Sequence, residues 1–324
     1  MIKLNLFLIV LVFITSAFSC EESDNSNQDD SQKKNTSEQA DISDTLKIRK
    51  HLEFLTKADQ FRNFRNVERL DSVAAYIYRE FDQYADTTFY QEYEVNGSIY
   101  RNVVCSFGAY HDDRVVVGAH YDVCGDQEGA DDNATGVAGL LELARLLEGD
   151  TLMERIDLVA YSLEEPPFFR TEQMGSYIHA KSLVDDGIDV IGMVCLEMIG
   201  YFDDDKGSQE YPVGGMKSVY GTKGDYIALV SQMGPGRFVQ QFNKDFKNTN
   251  RIRTKEIAAP KSMTGIDFSD HLNYWKFGFS ALMITDTAFF RNKHYHEKSD
   301  TMEKLDLARM ADVIDTVYLT LAMK

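Results

Sequence analysis

His120 and Asp122 close the apolar run "RVVVGAH" within the segment "GAHYD", and Asp131 and Asp132 sit between glycines in "GADDNATG". Glu164 and Glu165 end "RIDLVAYSLEE", Glu197 ends "DVIGMVCLE", and His294 and His296 lie in "HYHEKSD", just after "SALMITD". Singly, each has an ordinary explanation: His-x-Asp at a strand end is commonly a hydrogen-bonded pair, and Glu-Glu before Pro a solvated turn. Glu197 is different, because it stands between Leu196 and Met198 and an unpaired carboxylate in an apolar strand costs several kcal/mol. A cation is its natural partner. Imidazole nitrogen combined with carboxylate oxygen, without thiolate at these positions, suits zinc in an open catalytic site rather than a closed structural one. Two such ions about 3.5 to 4 Å apart need a bridging carboxylate and one or two further protein ligands each, and this inventory has that size.

Such chemistry requires elements that deliver the residues to one place. "DTLKIRKHLEFLTKAD" and "ERLDSVAAYIYREFDQYAD" have helical spacing, the latter with Leu70, Val73, Ile77 and Phe81 on one stripe. "FYQEYEV" and "YRNVVCSF" read as paired strands, and "RVVVGAH" as a buried strand. "NATGVAGLLELARLLEGD" puts Val137, Leu140, Leu141, Ala144 and Leu147 at helical spacing before the strand-like "RIDLVAYSL". Strand, helix, strand implies a crossover. The alternation continues through helix "MGSYIHAKSLVDDG", strands "DVIGMVCLEM" and "DYIALVS", helices "RFVQQFNKDF" and "DHLNYWKFG", strand "SALMITD" and the closing helix "EKLDLARMADVIDTVYLTLAMK". The expected fold is one α/β domain over residues 45–324, three layers α/β/α around a mixed, mostly parallel sheet. Ligands in such sheets bind beyond the carboxyl ends of the strands, which is where the polar residues fall.

The order "GAHYD", "GADDNATG", "EE" before "MGS", "LEMIGY" and "HEKSDT" resembles the co-catalytic zinc exopeptidases, a family that includes bacterial leucyl aminopeptidases, aminopeptidase Y and glutamate carboxypeptidases. The resemblance spans roughly residues 100–310 and implies two zinc ions. It implies that His120 and Glu197 bind one zinc, Glu165 and His296 the other, and that Asp132 bridges them through a residue followed by a cis peptide. Glu164 is the implied general base, taking a proton from the attacking water and returning it to the leaving amine. Asp122, Asp131 and Asp300 are implied supports, and His296 is preferred to His294 because Asp300 and Thr301 follow it at the family spacing.

The sequence also departs from the family pattern. Glu197 stands where many members have Asp, and "PPFFRTEQMGS" lengthens the loop after Glu165, leaving Phe168, Phe169 and Arg170 either to shape a substrate pocket or merely to pack. "FSDH" implies that His271 contacts substrate or the oxyanion, while Ile266 occupies the place where leucyl aminopeptidases have an oxyanion-donating Tyr. The leading reading is an aminopeptidase acting on peptide N-termini. The alternatives are a glutaminyl cyclase with one zinc, a carboxypeptidase using Arg170 or Lys261 for the substrate carboxylate, and a non-catalytic binding protein on the same scaffold, which the filled donor positions disfavour.

Composition limits the partners. Against 34 Lys and Arg stand 52 Asp and Glu, a net charge of −18, which disfavours nucleic acid because phosphate backbones are bound by positive charge. "MIKLNLFLIVLVFITSAFSC" has an early Lys3 and an apolar run shorter than the roughly 20 residues of a membrane span. It reads as a lipoprotein signal with Cys20 as lipid acceptor, so the protein is expected to be exported and held on the outer membrane leaflet of the cell envelope. Residues 21–44, acidic and amide-rich, read as a disordered tether. Cys105, Cys124 and Cys195 suggest no disulfide framework. Cys105 and Cys195 fall in apolar runs as buried thiols, whereas Cys124 follows the His120 motif and is open to either role. The oligomeric state is not encoded in these patterns.

Overall fold

A computed structural model of the protein describes residues 42–322. The expected signal, Cys20 and residues 21–41 of the expected tether lie outside the described residues. Helices α1 (Thr45–Thr56) and α2 (Val67–Asp82) precede strands β1 (Thr87–Val95), β2 (Ser98–Phe107) and β3 (Arg114–His120). Then come α3 (Gly136–Leu147), β4 (Arg155–Tyr161), α4 (Gly175–Asp185), β5 (Val190–Glu197), α5 (Met216–Tyr220) and β6 (Ile227–Gln232). The chain closes with α6 (Arg237–Asn248), β7 (Thr254–Ala259), α7 (His271–Lys276), β8 (Ala281–Thr285) and α8 (Leu307–Ala322).

The eight strands form one sheet in the order β1-β2-β4-β3-β5-β8-β6-β7. Its central pairings, β4 with β3, β3 with β5 and β5 with β8, are parallel, as is β6 with β7; the other three are antiparallel. The sheet is therefore mixed and mostly parallel, as expected. Residues of β3, β4 and β5 alternate between two apolar layers, so both faces of these strands are covered, which is why they read as continuous apolar runs. One layer packs against α1, α2, α3, α6 and α8, and the other against α4 and α7. Leu70, Val73, Ile77 and Phe81 of α2 and the predicted stripe of α3 are all buried.

The central register determines the site. His120 pairs with Tyr161 across β3 and β4, and Glu197 pairs with Thr285 across β5 and β8. Parallel strands in this register bring their carboxyl ends to one edge. Strand β7 escaped the sequence reading because "TKEIAA" lies at the sheet edge and has only Ile257 and Ala259 buried. The closing helix begins later than its pattern suggested: Met302–Lys304 form a separate single turn before α8.

The folded part starts earlier than residue 45, because the last residues of the expected tether are bound into it. Asp315 of α8 accepts hydrogen bonds from the backbone N–H of Ile42 (3.1 Å) and of Ser43 (2.8 Å) and from the Ser43 hydroxyl (2.6 Å). The Asp44 carboxylate caps α1 by accepting from Leu46 and Lys47 N–H, while its own N–H donates to Glu142 (2.6 Å). Asp315 also pairs with Arg251 at 3.0 Å with both side chains buried. Breaking a buried pair is strongly destabilising, so Asp315→Ala is expected to lower the unfolding free energy by about 3 to 5 kcal/mol in denaturant titrations. A loss under about 1 kcal/mol, as for an exposed pair, would contradict this account.

Candidate metal centre

The strand ends bring four carboxylates and two imidazoles into one crevice. His120 Nε2 lies 3.5 Å from Asp132 Oδ1, 3.4 Å from Glu197 Oε2 and 4.0 Å from Glu164 Oε2. His296 Nε2 lies 3.2 Å from both Asp132 Oδ2 and Glu165 Oε2. Asp132 thus stands between the imidazoles, one oxygen toward each. His294 turns elsewhere, its Nδ1 2.8 Å from the Ser299 hydroxyl.

The loop that carries Asp132 is fixed from behind. Asp300 accepts from Asp131 N–H (3.0 Å) and Asp132 N–H (3.1 Å), so it orients the loop backbone. Asp131 faces away from the crevice, accepting from Gly200 N–H (3.1 Å) and the Asn292 amide (2.8 Å). The peptide between Asp132 and Asn133 is cis. Asn133 donates to the Leu196 carbonyl (2.9 Å) and to Glu197 Oε2 (3.3 Å), and accepts from Met198 N–H (3.0 Å), which ties the loop to the end of β5. Gly136 permits this approach, since a Cβ there would fall 2.6 Å from both the Asn133 side chain and the Leu196 carbonyl. Leu163, Met198 and His296 have left-handed φ of 61°, 50° and 59°, and backbone of this kind clusters at functional sites.

Asp122 has a broader part than holding an imidazole. His120 Nδ1 approaches its backbone oxygen at 3.2 Å and its carboxylate at 3.5 Å. The same carboxylate accepts from Glu164 N–H and Glu165 N–H, each at 3.1 Å. One side chain therefore positions the ends of both β3 and β4.

Burial makes this cluster electrostatically unfavourable without a counter-charge. It pushes the Glu164 carboxyl well above the usual range and Glu165 up to about 7, in the latter case aided by Asp132. Glu197 is raised for the same reason. Burial opposes charge on His120, yet Glu197 and Glu164 hold its imidazole well above its ordinary value; His296 is likewise raised, by Asp132, Cys124 and Glu165. Asp132 Oδ2, Glu165 Oε1 and His296 Nε2 are buried without hydrogen-bond partners. Orphaned donor atoms of this kind at the meeting point of imidazoles and carboxylates fit divalent zinc.

The structure corrects one predicted residue and adds others. His271 does not reach the crevice: it is fully buried, its Nε2 lies 2.7 Å from the Ile266 carbonyl, and burial lowers its pKa to about 4. Its neighbours in "FSDH" are closer to the chemistry. Ser269 donates to Glu197 Oε2 at 2.6 Å, and the buried Asp270 carboxyl, raised to about 7 by burial, lies in the field of His120 and Glu197. Arg62, from the segment between α1 and α2, is buried and donates to the carbonyls of Glu128 and Gly129 just ahead of the Asp131–Asp132 pair. Nothing in the residues around it marks this role. Tyr295 lines the crevice, its ring stacked on His296 at 3.8 Å. In the loop after Glu165, Phe169 lines the crevice, whereas Phe168 is buried against Phe64.

An open α/β sheet with such a cluster beyond its parallel strand ends is suited to metal-dependent chemistry on a carbonyl group. The sequence narrows this further: the model of peptidase family M28 matches residues 102–321, and the chain belongs to that family, whose members typically bind zinc. The uncharacterized protein YfbL of Escherichia coli (strain K12) is 41% identical over 282 residues, covering 85% of this chain and 86% of that protein. The Legionella pneumophila LapA aminopeptidase has a similar structure with a TM-score of 0.66 at 20% identity, over 87% of this chain and 72% of that chain. The glutaminyl cyclase of Porphyromonas gingivalis gives 0.65 at 19% identity, over 87% and 99%. At these identities the structural likeness is one of fold.

Zinc binding is expected to stabilise the protein more as pH rises. In the metal-free protein the raised carboxyls of Glu165 (about 7) and Asp300 (about 8) favour the folded state fully below their ordinary values, and that contribution is lost as pH climbs through 7 and 8. His120 and His296, raised likewise, must release protons to accept a metal. The zinc-induced rise in thermal midpoint should therefore be larger near pH 7.5 than near pH 5.5, relative to chelator-treated protein. An equal or smaller rise near pH 7.5 would count against this centre.

Proposed function

We propose that the protein is a two-zinc aminopeptidase that removes apolar residues from the N-termini of peptides. His120, Asp132 and Glu197 would hold one zinc, Asp132, Glu165 and His296 the other, and zinc so bound polarises a carbonyl and acidifies water. Glu164 is the proposed general base. It lines the same crevice as Asp132, Glu165, Glu197 and His296, within reach of a water held there. Asp122, holding the N–H of Glu164, keeps that carboxylate aimed while the proton moves.

The observation that carries the aminopeptidase reading is the charge of the crevice. Among the described residues its lining includes carboxylates, Phe169, Phe268, Phe289 and Tyr295 but no Lys or Arg. A substrate α-amine suits such a wall, while a C-terminal carboxylate lacks a partner. Arg170, one of the cations a carboxypeptidase could use, pairs with Asp267 at 2.5 Å and sits over the Phe169 and Phe268 rings. Lys261 lies over the Trp275 ring. An apolar pocket of about 60 Å³ adjoins Glu197, walled by Met263, Ile266, Phe268, Met283, Phe289 and Phe290. That is room for about four water-sized groups, matching a Leu or Met side chain.

The test is a panel of peptides with free or blocked amines, supplied to zinc-restored protein. Release of N-terminal Leu or Met from free-amine peptides only is the expected result. Cleavage confined to blocked peptides would refute the reading, and cyclisation of N-terminal Gln at one zinc per chain would replace it with the cyclase alternative. Glu164→Gln should keep its metal content and lose about 10² to 10⁴-fold in turnover; undiminished turnover would remove Glu164 from the role.

A further inference from the structure

Cys124 stands four residues after His120, and its surroundings differ from those of the other described thiols. Cys105 and Cys195 are fully buried in strands, whereas Cys124 is half-buried at the crevice. Its Sγ, a carboxylate oxygen of Glu165 and a ring nitrogen of His296 all lie within 4.8 Å of one another. The backbone on either side is pinned: Val123 N–H donates to the Arg62 carbonyl at 3.1 Å, and the Asn63 amide donates to the Gly125 carbonyl at 2.7 Å. The thiol is therefore held in place by the segment between α1 and α2.

A second observation points to a ligand at this spot. Glu165 is 4% exposed and Asp132 2% exposed, yet Glu165 Oε1 and Asp132 Oδ2 have no hydrogen-bond partner. Both carboxylates contact the His296 imidazole that the thiol also approaches. Sulfur from Cys124, oxygen from Glu165 and nitrogen from His296 thus lie together, and Asp132 Oδ2 lies 3.2 Å from the Nε2 of the same imidazole.

We infer that Cys124 supplies a thiolate to the metal position of Asp132, Glu165 and His296, giving it four protein ligands, while the position of His120, Asp132 and Glu197 keeps three. This rests on the two-zinc reading above and divides labour within it. Four protein ligands make a closed tetrahedral position, and three leave one open. The closed position holds its metal for structure and prefers thiophilic ions such as zinc or cadmium over magnesium or manganese. The open position, beside Glu164, is the one left for water.

X-ray absorption at the zinc edge, on protein stripped with chelator and reloaded to two zincs per chain, tests this directly. One sulfur shared over two zincs, at about 2.3 Å, is expected. Cobalt-loaded protein should show sulfur-to-cobalt charge-transfer absorption in the near ultraviolet. Cys124→Ser and Cys124→Ala should abolish both signals and weaken one of the two metals by about tenfold or more, with the other held as before. Two bound zincs without a sulfur neighbour, or unchanged affinity for both metals in both variants, would overturn the role of Cys124 and leave the two-zinc reading standing. Failure of the unaltered protein to bind divalent metal would overturn both.

Discussion

Mutual repulsion among Asp132, Glu164, Glu165 and Glu197 is the constraint around which this part of the molecule is organised. All four are buried, and their carboxyls share the space between two imidazoles. In a low-dielectric setting such a group of charges persists only when opposite charge is supplied. His120, His296 and Arg62 supply part of it; divalent metal fits the remainder. The surrounding polar bonds are aimed at backbone as much as at the charges. Asp122 grips two consecutive N–H groups after β4, Asp300 grips two at the Asp132 loop, and Asn133 ties that loop to β5. Asp132, Glu164 and Glu165 are therefore positioned through their main chain, whereas Glu197 Oε2 also accepts from Ser269 and Asn133.

The arrangement also separates strength from adaptability. Strands β3, β4, β5 and β8 are buried on both faces and set the spacing of the donors in rigid register. The walls that would meet a substrate come instead from loops: Phe169 after β4, Phe268 before α7, and Phe289 and Tyr295 after β8. The loop after β8 is the exception, since Tyr295 of the wall stacks on His296 of the charged cluster.

How much could be read from the sequence follows the same division. Runs such as "RVVVGAH" announced buried strands because both faces are apolar, and Glu197 stood out because a carboxylate between Leu196 and Met198 lacks an easy structural excuse, whereas the choice of Asp132 over Asp131 and of His296 over His294 came only with the family resemblance. Strand β7 was not legible, since an edge strand with Glu256 and Ala258 exposed looks like a loop. The motif "FSDH" pointed to the right place but to the wrong side chain: His271 faces the Ile266 carbonyl, while Ser269 and Asp270 face the charges. Arg62 left no local trace, because the loop it braces presents backbone carbonyls 66 and 67 residues away, and its nearer partner, the Leu55 carbonyl, is backbone too.

That distant arginine enlarges the smallest piece of chain able to work. The family match begins at residue 102, yet Arg62 and Asn63 brace the 125–129 stretch from outside it, and β1 closes the sheet edge beside β2. Recombination or truncation at the family boundary would keep every metal donor and still remove the brace that holds the loop beneath them.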